Sequence, residues 1–595
     1  MDAVLGVERS VSGRRWRSRL ADARAGLALA QRLGAPEIVG RVLAARGVAA
    51  ESAESFLNPT LKAMLPDPSR LADMDTAVGR LVRAVKHGET VVVYGDYDVD
   101  GATAAALLKR YLDAVGAAAR IYVPDRLREG YGPNAPALLR LKAEGAAVVV
   151  TVDCGVTAFE PLAAAAKAGL DVIVVDHHIA EPRLPEAVAV VDANRIDDTS
   201  GCGELAAVGV AYLLVVGLNR ALRAEGWFAS RPEPDLRRAL DLVALGTVCD
   251  MVPLTGVNRA LVRQGFKVMA HRTNLGLATL ADVAGVDQRP GTYHAAFVLG
   301  PRINAGGRVG EASLGARLLA TDDVEEARAL ACRLDELNTE RRRIEAVVEA
   351  AAARQIEDSE GEPGPPGPPS PVVFAVGEGW HPGVIGIVAG RLSRRLFRPA
   401  FVVALAAGVG KGSGRSIPGV DIGAAVIAAR QAGLLIDGGG HPAAAGLTVA
   451  ADRVAELREF LTARLGPAVA VHGVGPSLGI DGAIAPRAAT PELVELLDRV
   501  GPFGVGNAEP RFAVAGSRVV RADVVGERHV RCILADDHGG RLNAIAFRSL
   551  ETPVGPALLN AAGRALHVAG HLRADSWRGR ERVQMFIEDV APAGL

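Results

Sequence analysis

The sequence predicts an α/β protein: a parallel-sheet domain joined by a long helix to a second α/β domain, with a small β-barrel after it. Three observations predict this. Between Val91 and Val191, short β-branched runs (VVVY, IYV, VVVTV, VIVV, VAVV) alternate with Ala/Leu-rich helical stretches, the pattern of a parallel sheet covered on both faces. From Asp322 to about Glu357, apolar residues recur at helical spacing (Val324, Ala327, Leu330, Leu334, Leu337, then Ile344, Val347, Val348), with four acidic residues in the first turns, where the helix dipole favours them. After residue 470 come short alternating runs such as VRCILAD, RLNAIAF and RVQMFIEDV, which predict a small antiparallel barrel.

Along the chain this gives an N-terminal segment (1–75), the parallel-sheet domain (76–320), a connecting helix (321–358), a Pro/Gly-rich linker (359–371), the second α/β domain (372–466) and the barrel (467–595). The linker, SEGEPGPPGPPSP, cannot be helical, because proline lacks the N–H a helix needs.

With 595 residues the chain exceeds what one hydrophobic core supports. A net charge of −1 gives no overall electrostatic footprint for nucleic acid, although a carboxylate-rich site would mask basic surfaces elsewhere. No apolar run approaches the roughly 20 residues of a membrane span. MDAVLGVERSVSGRRWRSRL lacks an apolar signal core, so a cytoplasmic location and no membrane partner are expected. The five cysteines contain no C-x-x-C pair, which argues against a disulfide framework and a structural zinc site.

The chemistry lies at the strand ends. In a parallel sheet, ligands bind at the carboxyl ends of the strands, and here those ends read VVVY-GDYDVDG, VVVTV-DCG and VIVV-DHH. Asp96, Asp98, Asp153, Asp176, His177 and His178 thus meet at one sheet edge, and Asp250 closes the apolar helical run LVALGTVCD. A single Asp after a strand is usually a helix cap or turn former, but capping alone does not explain this whole set. Buried like charges need neutralising, and hard oxygen donors with imidazole suit one or two Mn²⁺ or Mg²⁺ ions, which can promote phosphoryl displacement.

In order and spacing, GDYDVDGATA (95–104), VDCG (152–155), DHH (176–178) and TVCDMVPL (247–254) resemble the four motifs of the DHH phosphoesterase superfamily. PDRLREGYGPN (124–134), PRINAGGRVGEA (301–312), HPGVIGIVAGRL (381–392), GSGRSIPGVDI (412–422), GGGHPAAAG (438–446) and GPFGVGNAEPRF (501–512) resemble its RecJ-like exonucleases. The resemblance implies a DHH domain, a DHH-associated domain and an OB-like barrel. It implies an enzyme that hydrolyses single-stranded DNA from the 5′ end in recombination and repair. Asp96, Asp98, Asp153, His177 and Asp250 would hold the ions and His178 would face the scissile phosphate. Asp176 would orient the imidazoles, and Asp100 either ties the loop or approaches the metal.

The glycines of GGGHPAAAG suit either close approach to a phosphate or a tight turn. Beside them Ser413 and Arg415 can bind phosphate oxygens, Arg415 bidentately. The resemblance makes Ser413, Arg415, Gly439, Gly440 and His441 the holders of the 5′-terminal phosphate, with Arg302 and Arg308 contributing from the other side. AAGVGKGSG lacks the first glycine and the Ser/Thr of a nucleotide-binding loop, so no ATP site is expected. In the barrel, Trp577 with Arg573, Arg578, Arg580 and Arg582 suits a grip on single strands by stacking and charge. The expected partners are a single strand with a 5′ end and repair proteins such as a helicase or a single-strand-binding protein, with the enzyme a monomer. The alternatives are a DHH phosphodiesterase for oligoribonucleotides or cyclic dinucleotides, and a non-catalytic RecJ-like scaffold that binds single-stranded DNA.

Overall fold

The structure, a computed structural model, describes residues 3–126, 129–360, 369–473, 475–561, 564–577 and 580–594. It divides into two compact units that are not contiguous in sequence: residues 22–338 with 492–510, and residues 1–21 with 339–491 and 511–595.

The first unit is built on a five-stranded parallel sheet of β1 (Val91–Gly95), β2 (Ala119–Tyr122), β3 (Val148–Val152), β4 (Asp171–Asp176) and β5 (Ala189–Asp192), in the order β2-β1-β3-β4-β5. Every residue of β1 and β3 is buried, which explains why their sequences are continuous rather than alternating. One face packs on α1 (Val99–Ala114) and a large helical core, the other on α2 (Ala135–Ala143) and α3 (Phe159–Lys167). The chain leaves β1 towards β2 on one side and returns to β3 on the other. The crevice between β1 and β3 is therefore the switch point where such sheets place their ligands.

The helical core includes α4 (Ala207–Ala224) and α5 (Leu240–Cys249). By length and hydropathy α4 could cross a membrane, which the sequence reading did not anticipate, but 72% of it is buried inside the fold, as in a core helix. PRINAGGR forms α6 (Gly300–Val309), entered through a turn of π-helix at His294–Leu299. Residues 492–510 join this unit through the helix Gly256–Ala270. The fully buried Arg259 lies 3.8 Å over the Phe56 ring and donates to the carbonyls of Phe56 (2.7 Å) and Arg499 (3.2 Å), acceptors at the ends of two short helices.

The long helix, α7, runs Val324–Glu360, three residues beyond the expected end, and the boundary between units falls within it. Residues 361–368, most of the Pro/Gly-rich linker, lie outside the described residues.

In the second unit, β6 (Val373–Glu378), β7 (Ala400–Ala406), β8 (Val409–Arg415), β9 (Asp437–His441) and β10 (Ala444–Ala450) form a sheet ordered β9-β10-β8-β7-β6. Only β6 and β7 are parallel. Helix α8 (Ile385–Leu396) covers one face, and α9 (Ile422–Gln431) and α10 (Val454–His472) the other.

The C-terminal strands are β11 (Ser477–Ile480), β12 (Gly482–Ala483), β13 (Phe512–Val525), β14 (His529–Ala535), β15 (Arg541–Ala546), β16 (Ala565–Trp577) and β17 (Arg580–Pro592). The order β13-β14-β15-β17-β16 closes on itself through β13–β16, giving a five-stranded barrel whose β15–β17 pair is parallel, not antiparallel as the alternating runs suggested.

The N-terminal residues are not merely irregular. Arg15–Ser18 pairs in parallel with β11, and the fully buried Trp16 donates from Nε1 to Asp589 Oδ2 at 3.0 Å. Trp16→Phe keeps the ring but leaves that oxygen of a buried carboxylate without its donor, a cost of about 1–3 kcal/mol. The expected result is a lower urea midpoint and faster amide exchange in β11 and β17; unchanged exchange there would show that the N-terminal strand does not support the barrel.

Candidate metal centre and phosphate cradle

The carboxylates gather because each strand end turns sharply. Asp96 follows β1, and its backbone N–H donates to Val152 O at 3.2 Å. Asp98 caps α1, with Oδ1 accepting from the backbone N–H groups of Asp100 (2.9 Å) and Gly101 (3.1 Å). Gly101 has no alternative: a Cβ there would stand 2.6–2.8 Å from the Asp96 backbone. Asp153 takes a left-handed conformation, φ 62°, at the end of β3. Such backbones cost energy for residues other than glycine and cluster at functional sites.

Three sets of side chains have ligand atoms within 4.8 Å of one another: Asp96, Asp98 and Asp153; Asp153, His177 and His178; and Asp100, His177 and Asp250. His177 Nε2 lies 3.2 Å from Asp153 Oδ1, and its Nδ1 lies 3.7 Å from Asp250 Oδ2. Three buried atoms here, Asp96 Oδ1, His177 Nε2 and Asp250 Oδ2, have no hydrogen-bond partner among the described residues. Orphaned buried acceptors are rare in folded proteins, and in an oxygen-rich set they fit divalent cations such as Mn²⁺ or Mg²⁺.

The electrostatics agree. Burial, followed by neighbouring carboxylates, pushes Asp96, Asp100 and Asp153 well above the usual carboxyl range, and Asp250 up to about 7. Burial first, then the charge of His178, pulls His177 down to about 4, leaving a neutral imidazole suited to ligation. Burial would also lower His178, but the Asp176 carboxylate outweighs it and lifts the ring to about 9.

Two acids are fully engaged elsewhere. Asp176 Oδ1 accepts from the backbone N–H groups of His177 (2.8 Å) and His178 (3.3 Å) and meets His178 Nδ1 at 2.7 Å, while Oδ2 accepts from Val156 N–H at 3.0 Å. Asp100 accepts from the N–H groups of Ala207 (2.6 Å) and Val208 (3.0 Å), fixing the start of α4, although its Oδ2 is also 4.0 Å from His177 Nε2. The two arginines of α6 differ. Arg302 donates to Asp335 Oδ1 (2.8 Å) and Val298 O (2.7 Å), a tie between α6 and α7. Arg308 acts electrostatically on Tyr97 in the metal loop.

Sequence reasoning gave no role to Tyr97, Arg126, Tyr131 or Asn194. Tyr131 donates to Asp153 O at 3.2 Å and meets the His178 ring edge-on at 6.1 Å. Arg126 lies 4.8 Å over the Tyr97 ring. Asn194 Nδ2 donates to His177 O at 2.5 Å. GDYD and EGYG carried a signal for the two tyrosines; nothing local marked Asn194.

In the second unit, the pairing register brings the glycine motif and SGR together. Arg415 and His441 both pair with Ala444 of β10, and Ser413 faces Gly446, which pairs with Gly439. Directly paired residues share a face, so Arg415 and His441 flank a floor of Ala444, Gly446 and Gly439 about 10 Å wide, two strand spacings. Arg415 donates to Ser413 Oγ at 3.0 Å, and a Cβ on Gly386 would come within 3.1 Å of both side chains, so the first turn of α8 lies against them. Gly440, at φ 155°, has Ala444 O only 2.4 Å from where a Cβ would sit. A cationic side chain, hydroxyl, imidazole and helix start around a bare floor are groups that suit an anion.

A parallel sheet with acidic switch-point loops and a second unit with a glycine floor beside Arg415 agree with the resemblance to DHH phosphoesterases. The sequence model for the DHH family, N-terminal domain, matches residues 90–247, that for the DHHA1 domain residues 370–466, and that for the RecJ OB domain residues 480–589. The chain is 35% identical over 566 residues to the single-stranded-DNA-specific exonuclease RecJ of Dickeya dadantii, covering 94% of this chain and 96% of that one. It matches the crystal structure of RecJ from Thermus thermophilus in complex with Mn²⁺ with a TM-score of 0.80 and 28% identity, over 98% of this chain and 80% of that one. The corresponding Mg²⁺ complex gives a TM-score of 0.74 and 27% identity, over 98% and 79%. The chain belongs to the RecJ family.

Asp153→Asn keeps shape and tolerates the left-handed backbone while removing one charge. Without metal the variant should melt higher than the parent, because repulsion is relieved; with Mn²⁺ the rise in melting temperature should shrink sharply. Calorimetric titration of Mn²⁺ checks this, and an undiminished Mn²⁺ response would exclude Asp153 as a ligand.

Proposed function

We propose that this chain is a metal-dependent exonuclease specific for single-stranded DNA, hydrolysing phosphodiester bonds from the 5′ end and releasing 5′-mononucleotides in recombination and repair. The observation that carries this reading is the set of orphaned ligand atoms on Asp96, His177 and Asp250 at the sheet's switch point, in a chain of the RecJ family. A non-catalytic scaffold would have no use for an unpaired acidic cluster that strains its own fold.

In this reading Asp96, Asp98, Asp153, His177 and Asp250 hold one or two Mn²⁺ or Mg²⁺ ions. Bound there, the ions supply Lewis acidity toward phosphate oxygens and acidify water at neutral pH. His178 is the residue that meets the scissile phosphate. Asp176 occupies its Nδ1, leaving protonated Nε2 to donate to a phosphate oxygen, and half of the side chain is exposed to receive one. Asp176 and Asp100 act as positioning residues through their backbone bonds. Arg415, Ser413, His441 and the backbone of Gly439 and Gly440 bind the terminal 5′ phosphate, which sets polarity. Arg308 adds charge at the metal loop through its effect on Tyr97, and Arg302 is paired with Asp335.

The barrel supports a role in gripping single strands. Phe547, 53% exposed, meets His529 and Phe586 edge-on at 5.1 and 5.2 Å, and the Arg573 guanidinium lies 5.0 Å over Phe586. Such an arrangement suits base stacking without sequence preference. Arg582 is exposed; Arg578 and the side chains of Trp577 and Arg580 lie outside the described residues. A helicase or single-strand-binding protein as partner, and monomeric action in the cytoplasm, complete the reading.

The deciding assay presents single strands with and without a 5′ phosphate, a cyclic dinucleotide and pyrophosphate, each with Mn²⁺. Preferential loss of 5′-phosphorylated strands from their 5′ ends is expected; preferential hydrolysis of the cyclic dinucleotide would overturn the reading. Arg415→Ala should cost about 1.5–3 kcal/mol on 5′-phosphorylated strands, the worth of a charge-assisted hydrogen bond, and less on strands lacking that phosphate. Equal losses on both would mean that Arg415 does not read the terminal phosphate.

A further inference from the structure

His177 and Asp153 each belong to two of the three sets of ligand atoms, yet His177 stands just outside the sheet. Strand β4 ends at Asp176, and β5 beside it ends at the paired residue, Asp192, so the ladder stops one residue short of His177. Side chains take the place of the missing ladder. The His177 N–H donates to Asp176 Oδ1 (2.8 Å), and the His177 carbonyl accepts from Asn194 Nδ2 (2.5 Å).

Asn194 is itself held from several directions. Its N–H donates to Oδ1 of the fully buried Asp192 at 2.7 Å. The next residue, the buried Arg195, donates to Val190 O (2.6 Å) and Asp73 Oδ2 (2.7 Å), which anchors the turn to β5 and to the start of an earlier helix. Asn194 Nδ2 also donates to Gly203 O at 3.2 Å, and a Cβ on Gly203 would stand 2.7 Å from Asn194 Oδ1, so the two segments pack without a gap. Glu204 is fastened in turn: its carbonyl accepts from Asn258 Nδ2 and its carboxylate from Thr255 Oγ1, both at 2.5 Å. The Leu205 backbone then acts on the His177 imidazole itself. Two residues later begins α4, whose first N–H groups Asp100 holds.

We infer that Asn194 is a positioning residue of the metal centre, a clamp that joins the His177 backbone to residues 203–205 and so sets how the imidazole meets a divalent cation. Partners behind a ligating histidine fix its orientation, and their removal costs about 10–100-fold in metal affinity or activity. Here the hold is on the main chain, because His177 lies beyond the last ladder bond. Asn194 brings no charge, so its effect on a cation acts through geometry alone. This role rests on the reading of His177 as a ligand.

The test follows Mn²⁺ binding to the full chain by electron paramagnetic resonance, with nitrogen modulation of the bound-ion signal as the mark of an imidazole ligand. Three variants are compared with the parent. Asn194→Leu keeps the size without the donor, Asn194→Asp lacks the donor but adds a negative charge, and His177→Gln removes the ring. Both Asn194 variants should bind Mn²⁺ about tenfold or more weakly, show altered nitrogen modulation at saturating Mn²⁺, and melt close to the parent in chelator. The aspartate variant is the sharper arm, because an added carboxylate acting by charge alone would tighten cation binding. Parental affinity and modulation in Asn194→Leu, or tighter binding by Asn194→Asp, would overturn the role. Loss of the fold in both variants would also overturn it and make Asn194 a stabilising residue. Parental Mn²⁺ binding and modulation in His177→Gln would instead remove His177 from the ligand set, and with it the reading on which the clamp depends.

Discussion

Repulsion among carboxylates at one edge of a parallel sheet is the constraint around which the first unit is arranged. The protein handles it in two ways. Asp100 and Asp176 accept from backbone N–H groups and so become architecture: one fixes the start of α4, the other the His177–His178 turn. Asp96, Asp250 and His177 keep an atom with no hydrogen-bond partner among the described residues. Side chains a few ångströms apart are thus divided into those that build the loop and those that, in the proposed reading, hold a cation.

The second unit, in which we propose that the terminal phosphate binds, is built by the opposite means. It removes side chains. Gly439 and Gly446 leave the sheet face bare, Gly386 lets a helix start approach, and the charge comes from a single guanidinium held by Ser413. The register places the parts: because β10 lies between β8 and β9, residues from two distant motifs fall into one row.

Much of this was legible before any coordinates. The strand runs, the DHH motifs and the glycine motif are local patterns whose periodicity and spacing the chain displays directly, and three overlapping sets, joined through Asp153 and His177, bring the strand-end acids close: Asp96, Asp98 and Asp153; Asp153, His177 and His178; Asp100, His177 and Asp250. What was not legible depends on long-range pairing. Nothing near Arg302 reveals that Asp335 will claim it, and nothing near Asn194 reveals that it will hold His177. The attachment of residues 492–510 to the helix bearing Arg259 rests on a guanidinium reaching backbone carbonyls, which any sequence can offer. The parallel pair inside the barrel was missed because alternation reports which face is buried, not strand direction.

The bond between Trp16 and Asp589 spans 573 positions of chain. At ribosomal speeds of about 5–20 residues per second, roughly half a minute to two minutes separates the emergence of its two partners. Until β11 emerges late in that interval the N-terminal strand lacks its sheet partner, while residues 22–338 can already collapse around their own sheet. Only residues 492–510 must still be added to them. The order of synthesis therefore favours the metal-binding unit as the earlier product, with the barrel's seam closed last by the oldest part of the nascent chain.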